Sequence, residues 1–264
     1  MEFYTLASSS SGNAALLRHE QTLLLLDAGI SARRIAQAMA ELGFSPADLD
    51  AVLVTHEHRD HVAGLATLTK KYAVPVYASR GTAGCLPCSV EVLRPFSVGD
   101  SFSVGSFSIR SFRTSHDAAD TVDYRIDSPD GSFGALTDTG YVTEEAVDAL
   151  TGVDALLLES NHDIDMLKEG PYPYYLKQRI LSNHGHLSNG AAAEFARHCA
   201  MHGTRDILLA HLSAENNLPS LALSTVKAHL AEAGFVSCPL NTEPERGQVA
   251  IGVAMPAVPV LMRL

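Results

Sequence analysis

Short apolar runs recur along the first part of the chain and mark strands: "FYTLA" at 3–7, "AALLR" at 14–18, "TLLLLDAG" at 22–29 and the buried-looking "AVLV" at 51–54. Between the last two the period changes. "SARRIAQAMAELG" at 31–43 sets apolar residues at helical spacing behind the N-cap candidate Ser31 and stops at Gly43. A second helix is expected from about residue 62 to residue 72, another strand in "VPVYAS" at 74–79, and hairpins over 90–113, where turn residues alternate with short strands. The pattern then restarts. Strands are expected in "VDYRID" at 122–127, "SFGALTD" at 132–138, "DALLLES" at 154–160, "DILLAH" at 206–211 and "QVAIGV" at 248–253, with helices over 189–203 and 221–234. This predicts an α/β chain forming one domain, residues 1–264, built of two similar βα halves, approximately 1–120 and 121–264. No linker-like stretch divides them. The terminal "MPAVPVLMRL" is apolar and broken by proline, and is expected to lie along the body or at an interface.

Composition narrows the setting. With 264 residues, 46% of them hydrophobic, the chain can bury a large core without disulfide staples. Cys85, Cys88, Cys199 and Cys238 are too few and too scattered for a disulfide framework, so they read as reduced thiols and the expected address is cytoplasmic. The "CLPC" pair has zinc-like spacing but no second pair to complete a site. No apolar run approaches a membrane span, and no membrane partner is expected. A net charge of -11 argues against a protein that coats nucleic acid, although a local basic groove or bound divalent cations would still attract phosphate.

The densest chemistry is "LVTHEHRDHVAG", which packs His56, His58, Asp60 and His61 directly behind a buried strand. If the segment is extended, residues 56, 58 and 60 project to one side, and a helix starting near 61 returns His61 to the same point. A lone histidine is usually an ordinary core or surface residue. Imidazole and carboxylate in this concentration suit divalent transition metals instead.

These four residues resemble the signature of the metallo-β-lactamase fold, which implies an αββα four-layer sandwich with a dinuclear site at one edge. The family's remaining ligands have counterparts in chain order: His116 in "TSH", Asp138 in "LTDTG" and His211 in "LLAH". Carried over, the resemblance implies a first site of His56, His58 and His116, a second of Asp60, His61 and His211, and Asp138 bridging. The ions would be Zn²⁺ or Mn²⁺. An acid at 138, where the β-lactamases themselves place a cysteine ligand, favours the hydrolase and nuclease branches, with a bridging hydroxide as nucleophile and Asp60 as a possible acceptor for its proton.

"NHGHLSNGAAAEFARHCAMHGTRDILLAHLS" resembles the helix that leads to the last metal histidine in tRNA-processing zinc nucleases. The match implies that His186 contacts or protonates the scissile phosphate; the plainer alternative is a structural residue beside a helix. Only 72 residues lie between Asp138 and His211, and 21 between His116 and Asp138, so neither the large inserted domain of the β-CASP nucleases nor a tRNA-gripping arm has room. "LASSSSGNA", "SHDA", "TDTGY", "ESNHD", "GHLSN" and "LAHLSAENN" together resemble the WalJ (or YycJ) group of exonucleases, which implies 5′-to-3′ degradation of double-stranded DNA.

Substrate-binding candidates follow. Ser10, Ser11 and Asn13 sit in a hydroxyl-rich loop that could hold a phosphate or form a plain turn. Asn161 and His162, with Glu159 before them, lie at a strand end where they could orient ligands or merely cap the loop, and Ser188 falls within "GHLSN". Arg179, with Lys177 and nearby tyrosines, is either a DNA-contacting surface or a solvated basic face. Two other functions stay open: a small-substrate hydrolase of the same fold (thioesterase, lactonase or cyclic phosphodiesterase), and a metal-binding interaction protein without catalysis.

Overall fold

A computed structural model describes residues 1–255 and 260–263; residues 256–259 and 264, within the apolar C-terminal stretch, lie outside the described residues. In chain order the strands are β1 (Glu2–Ala7), β2 (Ala14–His19), β3 (Thr22–Leu26), β4 (Ala51–Leu53), β5 (Val76–Ser79), β6 (Leu93–Phe96), β7 (Ser101–Val104), β8 (Phe107–Arg113), β9 (Val122–Ser128), β10 (Gly131–Leu136), β11 (Ala155–Glu159), β12 (Asp206–Ala210), β13 (Val236–Cys238), β14 (Gln248–Val253) and β15 (Leu261–Arg263). The helices are α1 (Ala32–Glu41), α2 (Arg59–Val62), α3 (Leu65–Tyr72), α4 (Arg80–Ala83), α5 (Glu144–Leu150), α6 (Ile164–Glu169), α7 (Tyr174–Ile180), α8 (Asn189–Met201) and α9 (Pro219–Glu232).

Two mixed sheets result, ordered β15-β1-β2-β3-β4-β5-β6 and β13-β14-β12-β11-β10-β9-β8-β7. Each begins as an antiparallel meander and continues with parallel strands: β3, β4, β5 and β6 in the first, β10, β11, β12 and β14 in the second. The uninterrupted apolar runs follow from what covers the sheets. Leu24, Leu26 and Leu53 face Phe133, Leu157 and Leu208 in a core between the sheets, whereas their neighbours Leu23, Leu25 and Val52 pack on Ile35, Met39 and Leu65 of α1 and α3. On the other side Leu156, Leu158 and Leu209 pack on α5, α8 and α9 through Ala149, Phe195 and Val226. A strand buried on both faces has no polar side, hence no alternation. Three apolar layers separate four layers of structure, the αββα sandwich that the resemblance implies.

Some elements depart from the pattern reading. The helix expected over 62–72 breaks into α2 and α3 at Gly64, whose N–H donates to Ala28 O at 2.8 Å and whose added Cβ would stand 2.3 Å from Ile30 O. Only β7 and β8 form a hairpin within 90–113; β6 instead extends the first sheet in parallel beside β5. Part of the C-terminal stretch does lie along the body, because β15 pairs with β1. Among the described residues no helix is long and apolar enough to cross a membrane.

Parallel strands end at one edge, and there the backbone bends sharply. Asp27, Asp138 and His211, just past β3, β10 and β12, all adopt positive φ (57°, 49° and 56°). Such left-handed residues cost energy unless held, and they cluster where side chains must be aimed. The loops at this edge are stitched by backbone: Asn13 N–H donates to Asp60 O (2.8 Å), Gly29 N–H to Asn13 O (2.7 Å) and Ala28 N–H to His61 O (2.8 Å).

Two glycine substitutions should therefore act in opposite directions. A Cβ on Gly29 would fall 1.6 Å from Asp60 O and 2.6 Å from Asn13 N, both backbone atoms, so Gly29→Ala must part the loops and should cost about 1–3 kcal/mol or more. Gly190, inside α8, meets only Ser188 Oγ at 3.9 Å, and Gly190→Ala should stabilise by about 0.4–1 kcal/mol. Thermal denaturation distinguishes the two; a Gly29→Ala protein as stable as the parent would contradict the stitched edge.

Candidate metal centre

The edge loops gather the histidines and acids that the sequence singled out. The β4–α2 loop and the short α2 supply His56, His58, Asp60 and His61; the segment after β8 supplies His116; the turn after β10 supplies Asp138; and the residue after β12 is His211. They fall into overlapping groups of donor atoms within 4.8 Å: His56, His58 and His116; His56, His61 and Asp138; Asp60, His61 and His211. Asp138 faces both sides. Its Oδ1 lies 3.6 Å from His116 Nε2, while its Oδ2 lies 3.0 Å from His61 Nε2 and 3.6 Å from His211 Nε2. Asp60 Oδ2 stands 3.6 Å from the Nε2 atoms of both His61 and His211.

Tautomers are set from behind. His61 Nδ1 donates to Asp27 Oδ2 (2.7 Å), His116 Nδ1 to the carbonyl of Gly185 (3.1 Å) and His211 Nδ1 to Glu159 Oε1 (2.9 Å). Carbonyls and carboxylates can only accept, so the proton sits on Nδ1 and the Nε2 lone pair points forward. The Thr55 hydroxyl donates to Asp27 Oδ2 at 3.0 Å, which leaves it free to accept from His56 Nδ1, also at 3.0 Å. His58 differs, presenting Nδ1 3.3 Å from His116 Nε2.

The donor set fits divalent cations. His56 Nε2, Asp138 Oδ2 and His211 Nε2 are buried without a hydrogen-bond partner, a costly arrangement unless a cation accepts their lone pairs. Two neighbouring groups of nitrogen and oxygen donors with one carboxylate between them are typical of a dinuclear His/Asp metal site.

Electrostatics separates the two groups. Burial would lower His211, but Asp138, Asp60 and Glu159 outweigh it and raise the imidazole to about 10. His61 is likewise lifted well above the ordinary range, burial being overcome by Asp138 and Asp27. In the other group burial prevails, lowering His116 and pushing His56 far down with help from His61. Burial opposes ionisation of Asp138 and Glu159 as well, yet His211 and His61 pull Asp138 well below the carboxylate range, and His186 with His211 pull Glu159 to about 2.

His186 lines the cleft beside the centre, its Nδ1 donating to Glu159 Oε1 at 2.8 Å and lying 3.5 Å from Asp138 Oδ1. Burial works against its charge, but Glu159 prevails and raises its pKa. Ser10 and Asn161 also line the cleft, and Asn161 Nδ2 donates to the backbone carbonyl of His211 at 2.9 Å. Asn13 sits at the centre itself, Nδ2 3.3 Å from His61 Nε2. The others lie elsewhere. Ser11 is exposed and bonded to Ser9; Ser188 caps α8 by accepting from Ala191 N–H at 3.2 Å; His162 is buried, with neither ring nitrogen partnered, and burial takes it down to about 4. Arg179 lines the cleft with its charge met by Asp117 at 2.6 Å.

Two acids hold the site from behind: Asp27, which the sequence offers only as a strand end, and Glu159, which it offers as a group orienting ligands. Asp27 fixes His61 and Thr55 from the end of β3, and Glu159, fully buried, holds His186 and His211 through one oxygen while the other accepts from the N–H groups of Thr139 and Leu187 at 3.1 Å. Both follow an apolar strand in the sequence, "LLLLD" and "ALLLE", a pattern that marks an acid at a strand end without naming its partner.

Residues 22–212 match the family model for the β-lactamase superfamily domain. The chain is 41% identical to an exodeoxyribonuclease, WalJ, of Streptococcus pneumoniae over 88% of its own length and 89% of the relative's. It is 38% identical to an exodeoxyribonuclease, YycJ, of Bacillus anthracis over 89% and 91% of the two chains. Among solved structures, the metallo-β-lactamase fold protein YhfI from Bacillus subtilis superposes with a TM-score of 0.73 at 16% identity, covering 98% and 99% of the two chains.

Two measurements test the centre. His211, raised from 6.5 to about 10, contributes stability fully present below its unfolded pKa and lost as pH rises through the folded one, so the Tm of chelator-treated protein should fall between about pH 7 and about pH 10. Added Zn²⁺ or Mn²⁺ should remove most of that fall by taking the proton's place; a flat profile without metal would refute the assignment. Separately, Glu159→Gln should weaken the affinity for one of two bound ions by about 10–100-fold and leave the other nearly unchanged, since His56, His58 and His116 do not lean on Glu159. Titration against a chromophoric chelator counts the ions and reads both affinities.

Proposed function

We propose an activity from one premise: the chain belongs to the metallo-β-lactamase superfamily and is homologous over nearly its whole length to exodeoxyribonucleases. The reading is a metal-dependent phosphodiesterase that removes nucleotides from double-stranded DNA, with 5′-to-3′ polarity following the WalJ and YycJ resemblance. The observation that carries it is the pairing of the His/Asp centre with His186, a cleft histidine whose Nδ1 is held by Glu159 Oε1 at 2.8 Å.

Residues His56, His58 and His116 would hold one divalent ion, Asp60, His61 and His211 the other, with Asp138 shared. Such a pair supplies Lewis acidity toward a phosphoryl oxygen and a nucleophile from water near neutral pH. The remaining work falls to the chain. Asp60, partly open to the cleft, can accept the proton that the attacking water gives up. His186 has its Nδ1 proton committed to Glu159, so its Nε2–H is the donor available to the departing 3′-oxygen of the DNA. Asn161 and Ser10 border the same space and offer neutral hydrogen bonds to phosphate. Exclusion of bulk water by the buried ligands strengthens each of these contacts.

Metal-loaded protein should release the label of 5′-labelled duplex DNA at once and shorten 3′-labelled duplex progressively, at least as well as it acts on RNA, a thioester or a lactone; preference for either ester would transfer the assignment to a small-substrate hydrolase. Within the nuclease reading, His186→Ala should lower DNA turnover by about 10²–10⁴-fold while both metals stay bound. Hydrolysis of bis-p-nitrophenyl phosphate, whose leaving group departs unaided, should suffer much less. Equal losses on the two substrates would mean that His186 binds phosphate instead of giving a proton.

A further inference from the structure

A chain of net charge -11 repels a polyanion, so DNA must be met by cations near the centre that are not already neutralised. Arg179 does not qualify, being paired with Asp117. Arg34 and Arg59 do: both are exposed, and neither makes an ion pair with any carboxylate among the described residues. They line one groove together with Ser10, Ser11, Ser31 and Asp60. Ser10 and Asp60 also line the catalytic cleft, so groove and cleft meet at the metal centre.

One wall of the cleft, where Tyr172, Leu176 and Ile180 stand beside Arg179 and His184, offers aromatic and apolar surface of the kind that accepts a nucleoside. The groove carries guanidinium groups and hydroxyls, donors matched to phosphate oxygens. Asp60 is its one carboxylate, and that group is turned toward His61 and His211, where a cation would offset it. The groove is also built to hold shape, because the backbone bonds among Asn13, Gly29 and Asp60 fasten its loops together.

We propose that this groove holds the sugar-phosphate backbone of the strand being degraded, Arg34 and Arg59 each contacting one phosphate beyond the scissile one. The assignment rests on the nuclease reading above. Since both contacts are to phosphate, they fix register and add affinity without reading sequence.

The test is an Arg34→Gln, Arg59→Gln double variant of the metal-loaded protein, assayed on labelled duplexes of two unrelated sequences across a salt series. DNA affinity should fall equally for both sequences, and the slope of log affinity against log salt should become shallower by about 2, close to one unit for each phosphate that no longer meets a guanidinium. Metal content and turnover of bis-p-nitrophenyl phosphate, which has no flanking phosphates, should be retained, and the corresponding double lysine variant should recover most of the slope. A wild type that degrades DNA beside a variant with unchanged affinity and slope refutes the groove alone. A wild type that degrades no DNA refutes the nuclease reading and the groove with it.

Discussion

Buried negative charge is what the rest of the site is arranged around. Asp27, Asp138 and Glu159 lie almost wholly out of solvent at the meeting edge of two sheets, and a carboxylate in that position is tolerated only where cationic or hydrogen-bonding partners surround it. The partners are imidazoles. Asp27 and Glu159 grip Nδ1 of His61 and His211 from behind, which aims the Nε2 atoms of both rings at Asp138, the acid at the common point. Protons and divalent cations are thus rivals for the same lone pairs, and the fold holds the competition open by burying the donors too deeply for water to settle it.

The sandwich explains why this edge and no other. Parallel strands deliver their C-terminal ends together, and the two sheets bring β3 and β4 opposite β10, β11 and β12 across a core of leucine, phenylalanine and alanine side chains. Half of each strand's side chains serve that core and half an outer helical layer, so little freedom remains for the strands to slide in register. Rigid placement is transferred to the loops through backbone hydrogen bonds, which places ligands distant in sequence within a few ångströms of one another.

Much of this is legible in the amino-acid sequence alone. The strands of the parallel regions announce themselves as apolar runs, and the ligand cluster at 56–61 is compact enough to be read as one object. What stays hidden is whatever depends on contact between distant segments. Glu159 reads as a strand-end acid that orients a ligand or caps the loop, but its partners His186 and His211 lie 27 and 52 positions away and only folding identifies them. The break between α2 and α3 is invisible in helical periodicity because Gly64 N–H is taken by the carbonyl of Ala28, 36 positions earlier in the chain. The segment of β6 reads as hairpin because pairing partner, unlike period, is not a local property. Ser188 shows the reverse: a hydroxyl that local motif matching favours for substrate is spent on the start of a helix.

The left-handed turns at Asp27, Asp138 and His211 carry a consequence for how this site can drift. Aspartate, asparagine and histidine are the residues, after glycine, that most readily accept such backbone angles. The fold therefore imposes its own alphabet on these positions before metal chemistry is consulted, and the letters it permits overlap with those that bind cations. Longer acids such as glutamate are penalised twice, by reach and by backbone. The substitutions that the main chain tolerates best, asparagine and glycine, are those that abolish charge, so inactive descendants of this chain would keep their shape while losing their ions, and intact architecture in a relative is no guarantee of a working centre.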